Sequence, residues 1–203
     1  MRDVHADGEV LTAGSDLKNA DKAVIMIHGR GATAHSIIQL HRQLPDAAFI
    51  APQAANREWY PRGFMEPRER NQPHLDSALR RVDELVEKAV GEVGKENFFL
   101  LGFSQGACLA SEYMASNPGK YGGLFALSGG LIGEEIREFS GDLEETSVFI
   151  GCAENDPHIP LERVNETEKV FQGLNADVEK YIFEGSQHGI VDHEIERIRE
   201  LLG

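Results

Sequence analysis

Cysteine is scarce in this chain of 203 residues, with two copies, Cys108 and Cys152. One falls in an apolar helical pattern and the other at the end of an apolar run, where thiols serve as small core residues. A disulfide framework is excluded, and a reducing compartment fits. Positive charge is in deficit as well: 20 Lys and Arg against 34 Asp and Glu leave a formal net charge of −14. That balance argues against nucleic acid or an anionic membrane surface as partner, and favours solubility. No apolar run approaches the roughly 20 residues of a membrane span. The first ten residues, MRDVHADGEV, carry charges where a signal peptide needs an apolar core. No H-E-x-x-H or comparable ligand spacing occurs among the eight histidines, so neither a metal nor another cofactor is expected. Repeats and low-complexity tracts are missing too, and the length suits one domain over residues 1–203. The expectation is a soluble, cytoplasmic globular protein.

What is present is an alternation of short apolar runs and amphipathic stretches. Ala23 to Ile27, Ala47 to Ala51, Phe98 to Leu101, Gly123 to Leu127 and Val148 to Gly151 read as buried strands. Val178 to Phe183 alternates as a last strand, and Glu9 to Thr12 is a candidate edge strand. Between them, Thr33 caps a helix that should run to Pro45, and His74–Val93, Leu161–Leu174 and Ile190–Leu202 show helical spacing. Strands alternating with helices predict a mostly parallel central sheet with helices on both faces. One segment breaks the pattern. Pro52 to Pro73 has no periodicity and holds Trp59, Tyr60, Phe64 and Met65, too aromatic for a plain linker.

The chemistry concentrates in Asn97 to Ala110, NFFLLGFSQGACLA. The G-x-S-x-G pattern between an apolar strand and a packed helix sets Ser104 on a sharp turn with its hydroxyl exposed above the sheet. Gly102 and Gly106 are required there, because a Cβ at either would strike the neighbouring strand or helix. A serine hydroxyl needs an adjacent base and an orienting acid, and in such folds the order is Ser, Asp/Glu, His, each on a loop after a strand. The loop after Gly151 offers Glu154 and Asp156, of which Asp156 stands deeper. The loop after Phe183 offers His188; His158 lies in the acid loop, and His193 falls on a helix as a surface residue. The amide of Gln105, next to the serine, is one oxyanion donor, and the glycine-rich loop His28–Gly31 is the source expected for the second.

The segments IHGRG (27–31), GFSQG (102–106), DPHIP (156–160) and GSQH (185–188) together resemble the phospholipase/carboxylesterase family of α/β hydrolases, over nearly the whole chain. The resemblance implies an α/β-hydrolase fold without a large cap domain, and a triad of Ser104, Asp156 and His188. It implies an oxyanion hole from the amides of Arg30 and Gln105. It also makes the aromatic loop substrate-facing, with Trp59, Phe64 and Met65, joined by Ile159, as candidate substrate-binding residues. The family's thioesterase branch often has an apolar residue where Arg30 stands, which puts lipid-protein specificity in doubt; the Arg30 side chain is expected to point to solvent, with a preference for acidic or polar acyl substrates as the alternative. The implied activity is hydrolysis of short- to medium-chain carboxylic esters through an acyl-enzyme. Acyl-protein thioesterase or lysophospholipase activity uses the same residues, and a non-catalytic hydrolase-fold binding protein is the reading from another class. The partner implied is a small-molecule ester or thioester; relatives occur as monomers and dimers, so a homodimer is a candidate state.

Overall fold

The computed structural model describes residues 3–203. Seven strands form one sheet: β1 (Val10–Gly14), β2 (Ala23–Ile27), β3 (Ala48–Pro52), β4 (Phe98–Phe103), β5 (Gly123–Leu127), β6 (Ser147–Ala153) and β7 (Asp177–Phe183). Their order is β1-β3-β2-β4-β5-β6-β7. All neighbours run parallel except β1, which pairs antiparallel with β3 and closes that edge. Every residue of β2, β3 and β5 is buried, as their uninterrupted apolar sequences require of strands covered on both faces.

Five α-helices cover the sheet: α1 (Ala34–Ile38), α2 (His74–Val93), α3 (Gln105–Ser116), α4 (Leu161–Gly173) and α5 (Asp192–Leu202). Successive side chains of a strand point to opposite faces. Phe98 and Leu100 therefore join the core under α2, α3 and α4, while Phe99 and Leu101 join the one under α1 and α5. Along α2, Leu75, Ala78, Val82, Leu85, Val86, Ala89 and Val93 form the buried stripe that its sequence spacing predicts.

The first helix departs from expectation. Thr33 does cap it, its hydroxyl accepting from the Ser36 amide at 3.1 Å. The α-helix nevertheless ends at Ile38, and Gln39–Gln43 continue as a tighter 3-10 turn. Pro45 disfavours helical geometry at the preceding residue, and Leu44 is extended (φ −112°, ψ 159°), so the helix winds down before it. The long segment between β3 and α2 is irregular apart from 3-10 turns at Ala55–Arg57 and Arg68–Asn71.

The topology opens a crevice. From β2 the chain turns through α1 toward β3, and from β4 it turns through α3 toward β5, on the opposite face. The loops after β2 and β4 diverge at their carboxyl ends, which is where open α/β sheets gather ligands.

Candidate active site

Ser104 sits at that divergence with φ 55° and ψ −120°, in the left-handed region that side chains rarely adopt. The surroundings fix it there. Its amide donates to the Leu127 carbonyl at the end of β5 (2.9 Å), and its carbonyl accepts from the Cys108 amide in α3 (3.0 Å). The two glycines make the turn sterically possible: a Cβ on Gly102 would lie 2.3 Å from the Gly106 carbonyl oxygen, and one on Gly106 would lie 2.1 Å from that of Ile27. Gly29 runs against the serine, an added Cβ standing 3.2 Å from that of Ser104.

His188, on the loop after β7, comes to the serine from the far side. Its Nε2 lies 2.8 Å from Ser104 Oγ, and its Nδ1 lies 2.7 Å from Asp156 Oδ2. The Asp156 side chain is completely buried. Burial alone pushes its carboxyl up, but His188 and the amides of His158 (2.8 Å) and Ile159 (3.1 Å) together hold it below the ordinary carboxylate range. An ionised Asp156 accepts, so the His188 proton resides on Nδ1 and Nε2 is left facing the hydroxyl. The His188 ring is braced by Phe103 (centroids 5.1 Å apart) and edge-on by His158 (4.8 Å). His193, on α5, stacks instead on Tyr181.

The two amides beside the serine are unspent. Among the described residues neither the Arg30 nor the Gln105 backbone N–H has an acceptor. The side chains of these same residues are engaged on one segment. Gln105 Oε1 accepts from the Trp59 amide (2.9 Å), and its Nε2 donates to the Tyr60 carbonyl (2.8 Å). Arg30 donates to the carbonyls of Tyr60 (2.8 Å), Pro61 (3.0 Å) and Arg62 (2.5 Å), and pairs with Glu58 at 3.6 Å. Its guanidinium neither floats in solvent nor waits for an acidic substrate: it staples the 60–62 segment to the loop after β2.

A cleft of about 380 Å³ lies over Ser104, with Tyr60, Phe64, Cys108 and Ile159 among its walls. Two sequence-based candidates are elsewhere. Trp59 is completely buried, stacked between the rings of His5 (5.5 Å) and His28 (5.1 Å), its indole N–H donating to the His28 carbonyl. Met65 is exposed, away from the cleft walls. An aromatic in an aperiodic loop can fill a cavity or line one; the buried histidines that capture Trp59 lie 54 and 31 positions away and leave no local signal. Tyr60 and Cys108, which do line the cleft, were recognisable only as loop and core residues. Cys108 and Cys152 are free thiols that burial pushes up to about 11 and about 12, outside the nucleophilic range at neutral pH.

The sheet order, the strained serine between two obligatory glycines and the crevice at the carboxyl edge define the α/β-hydrolase class. A family model described as Phospholipase/Carboxylesterase matches residues 10–203, and the chain belongs to that family. A phospholipase/carboxylesterase from Dyadobacter fermentans is 42% identical with a TM-score of 0.93, the match covering 97% of each chain. Among curated proteins, acyl-protein thioesterase 1 of Saccharomyces cerevisiae is 25% identical over 95% of this chain and 96% of its own. The Kluyveromyces lactis enzyme of that name is 32% identical over 48% of this chain and 45% of its own. Among the described residues no helix is long and apolar enough to cross a membrane.

Proposed function

We propose that this protein is a serine carboxylesterase that cleaves short- to medium-chain carboxylic esters through an acyl-enzyme on Ser104. The observation that carries the reading is the unbroken relay Asp156–His188–Ser104, at 2.7 and 2.8 Å, opening onto the cleft. Ser104 Oγ attacks the ester carbonyl as His188 Nε2 takes its proton, and Asp156 holds the imidazole tautomer and stabilises the imidazolium. The carbonyl oxygen becomes an oxyanion, received by the free amides of Arg30 and Gln105. Donors of this kind are each worth about 3 kcal/mol of barrier. Collapse expels the alcohol with the proton from His188, and a water repeats the cycle to release the acid. The cleft volume lies at the small end of the roughly 300–1,000 Å³ range of ligand pockets, which supports modest acyl chains, with Phe64 and Ile159 against them.

Thioester hydrolysis by the same groups is the second reading, favoured by the likeness to acyl-protein thioesterases. A 4-nitrophenyl ester series beside the matching acyl thioesters separates the two. Ser104→Ala should abolish turnover of both and block labelling by a fluorophosphonate. Wild-type turnover in that variant would overturn the assignment, and an unlabelled wild-type protein would favour a silent binding scaffold.

A further inference from the structure

Arg62 is a residue whose backbone is fastened and whose side chain is idle. Its amide donates to Oδ1 of the fully buried Asn71 (2.8 Å), and Asn71 Nδ2 secures the next carbonyl, Gly63 (3.0 Å). Its own carbonyl accepts from Arg30 (2.5 Å). Arg62 is exposed and stands among the residues that line the cleft with Ser104 and His188, and its side chain has no hydrogen-bond or ion-pair partner among the described residues. The other guanidinium there, Arg30, has both its terminal nitrogens committed to the loop carbonyls and Glu58. No carboxylate is among the residues that line the cleft, and Asp156 is sealed behind His188. In a chain with net charge −14 the cleft thus presents an unspent cation, carried on a tethered stretch of backbone in its wall.

We propose that Arg62 binds a carboxylate carried by the substrate close to its scissile bond, so that the preferred esters are anionic. This rests on the esterase reading above. A guanidinium and a carboxylate form paired, charge-assisted hydrogen bonds, the strongest contact the rim offers. The carboxylate can belong to the acyl half, as in a monoester of a dicarboxylic acid, or to the leaving group.

The test compares kcat/KM, above the uncatalysed rate, for two matched pairs: 4-nitrophenyl hydrogen glutarate against 4-nitrophenyl butyrate, and 4-acetoxybenzoate against phenyl acetate. In Arg62→Ala the anionic-to-neutral ratio should fall about tenfold in the pair whose carboxylate reaches the arginine, and Arg62→Lys should recover part of it. Ratios unchanged in both pairs, with turnover still dependent on Ser104, overturn the role of Arg62 and leave the esterase reading standing. If no ester is turned over at all, the esterase reading itself fails. Binding then decides on Arg62 alone: NMR titration with butyrate and its neutral isostere butyramide should show butyrate binding tighter, and weakened in Arg62→Ala. Equal affinities would refute the proposal.

Discussion

Replacing Glu194 by glutamine tests the packing under the site through a pH dependence of known sign. Glu194 lies in the first turn of α5, completely buried, with Oε2 accepting the Val191 amide at 2.9 Å. Its Oε1 has no partner among the described residues, and it fills the space beside Gly151, where an added Cβ would stand 2.0 Å away. Burial pushes the carboxyl from 4.5 up to about 7, against the smaller opposing pull of the Val191 N–H. The folded state therefore holds a proton that the unfolded chain releases above about pH 4.5. Stability is full below that pH and declines as pH rises toward 7. At about 1.4 kcal/mol per unit, ionising Glu194 costs the native state about 3 kcal/mol by pH 8. Glutamine keeps the shape and the acceptor for Val191 but cannot ionise. Urea unfolding of both proteins at pH 5 and pH 8 should show the variant gaining about 2.5 kcal/mol on the wild type between the two, since part of the loss precedes pH 5. At roughly 2–4 °C per kcal/mol for a chain of this size, that is about 5–10 °C in Tm. A stability difference that stays constant with pH would refute the argument, because every other titrating group cancels in the comparison.

Gly106→Ala drives a methyl group onto the backbone oxygens of Ile27 and His28, neither of which can rotate away, and should destabilise the fold by about 3 kcal/mol or more as an overpacking change. Circular dichroism melts beside esterase assays check this, and a native-like Tm would contradict the close approach of α3 to β2. Arg30→Ala frees three loop carbonyls at once and should lower kcat about tenfold or more, with KM moving less, since it loosens an oxyanion donor rather than a substrate contact. A pure KM effect on anionic esters would show instead that Arg30 binds substrate. His5 and His28 are both held below the ordinary imidazole pKa, chiefly by burial. The unfolded chain takes up protons near pH 6.5 that the folded one refuses, so this stability is complete above about 6.5 and falls as pH drops toward the depressed values. In the Glu194→Gln background, where the opposing carboxyl is gone, Tm should decline from pH 7 to pH 5; a flat profile would show that neither imidazole is buried neutral.

The sheet was legible because continuous apolar runs report strands covered on both faces, and β2, β3, β4 and β5 are such runs. The positions of Ser104, Asp156 and His188 followed from the strands before them, since a loop after an apolar run in a parallel sheet opens at one edge. Side-chain roles inside the 52–73 segment were not legible. Trp59 reads the same whether it lines the cleft or plugs the space beneath it, and its partners His5, His28 and Gln105 reach it from 31 to 54 positions away. The Arg30 side chain was illegible for the same reason: a cation next to a glycine loop reads as a solvent-facing group until the carbonyls that it binds are known. Glu194 hid as an ordinary polar residue of an amphipathic helix, and its burial comes from the missing side chain at Gly151, far away in sequence.

The Tyr60 carbonyl ties these observations into one device. It accepts from Gln105 Nε2 and from Arg30 Nη2, each at 2.8 Å, so the two residues proposed to supply the oxyanion amides are joined through a single oxygen. Electrostatic stabilisation of an oxyanion depends on donors that are already oriented before charge develops. Two side chains spent on one loop carbonyl supply that orientation without occupying the cleft. The side-chain hydrogen bonds of Arg30 and Gln105 are directed at the loop and not at the cleft. Discrimination between esters therefore falls to groups that the clamp positions but does not consume, the Phe64 ring and the Arg62 guanidinium.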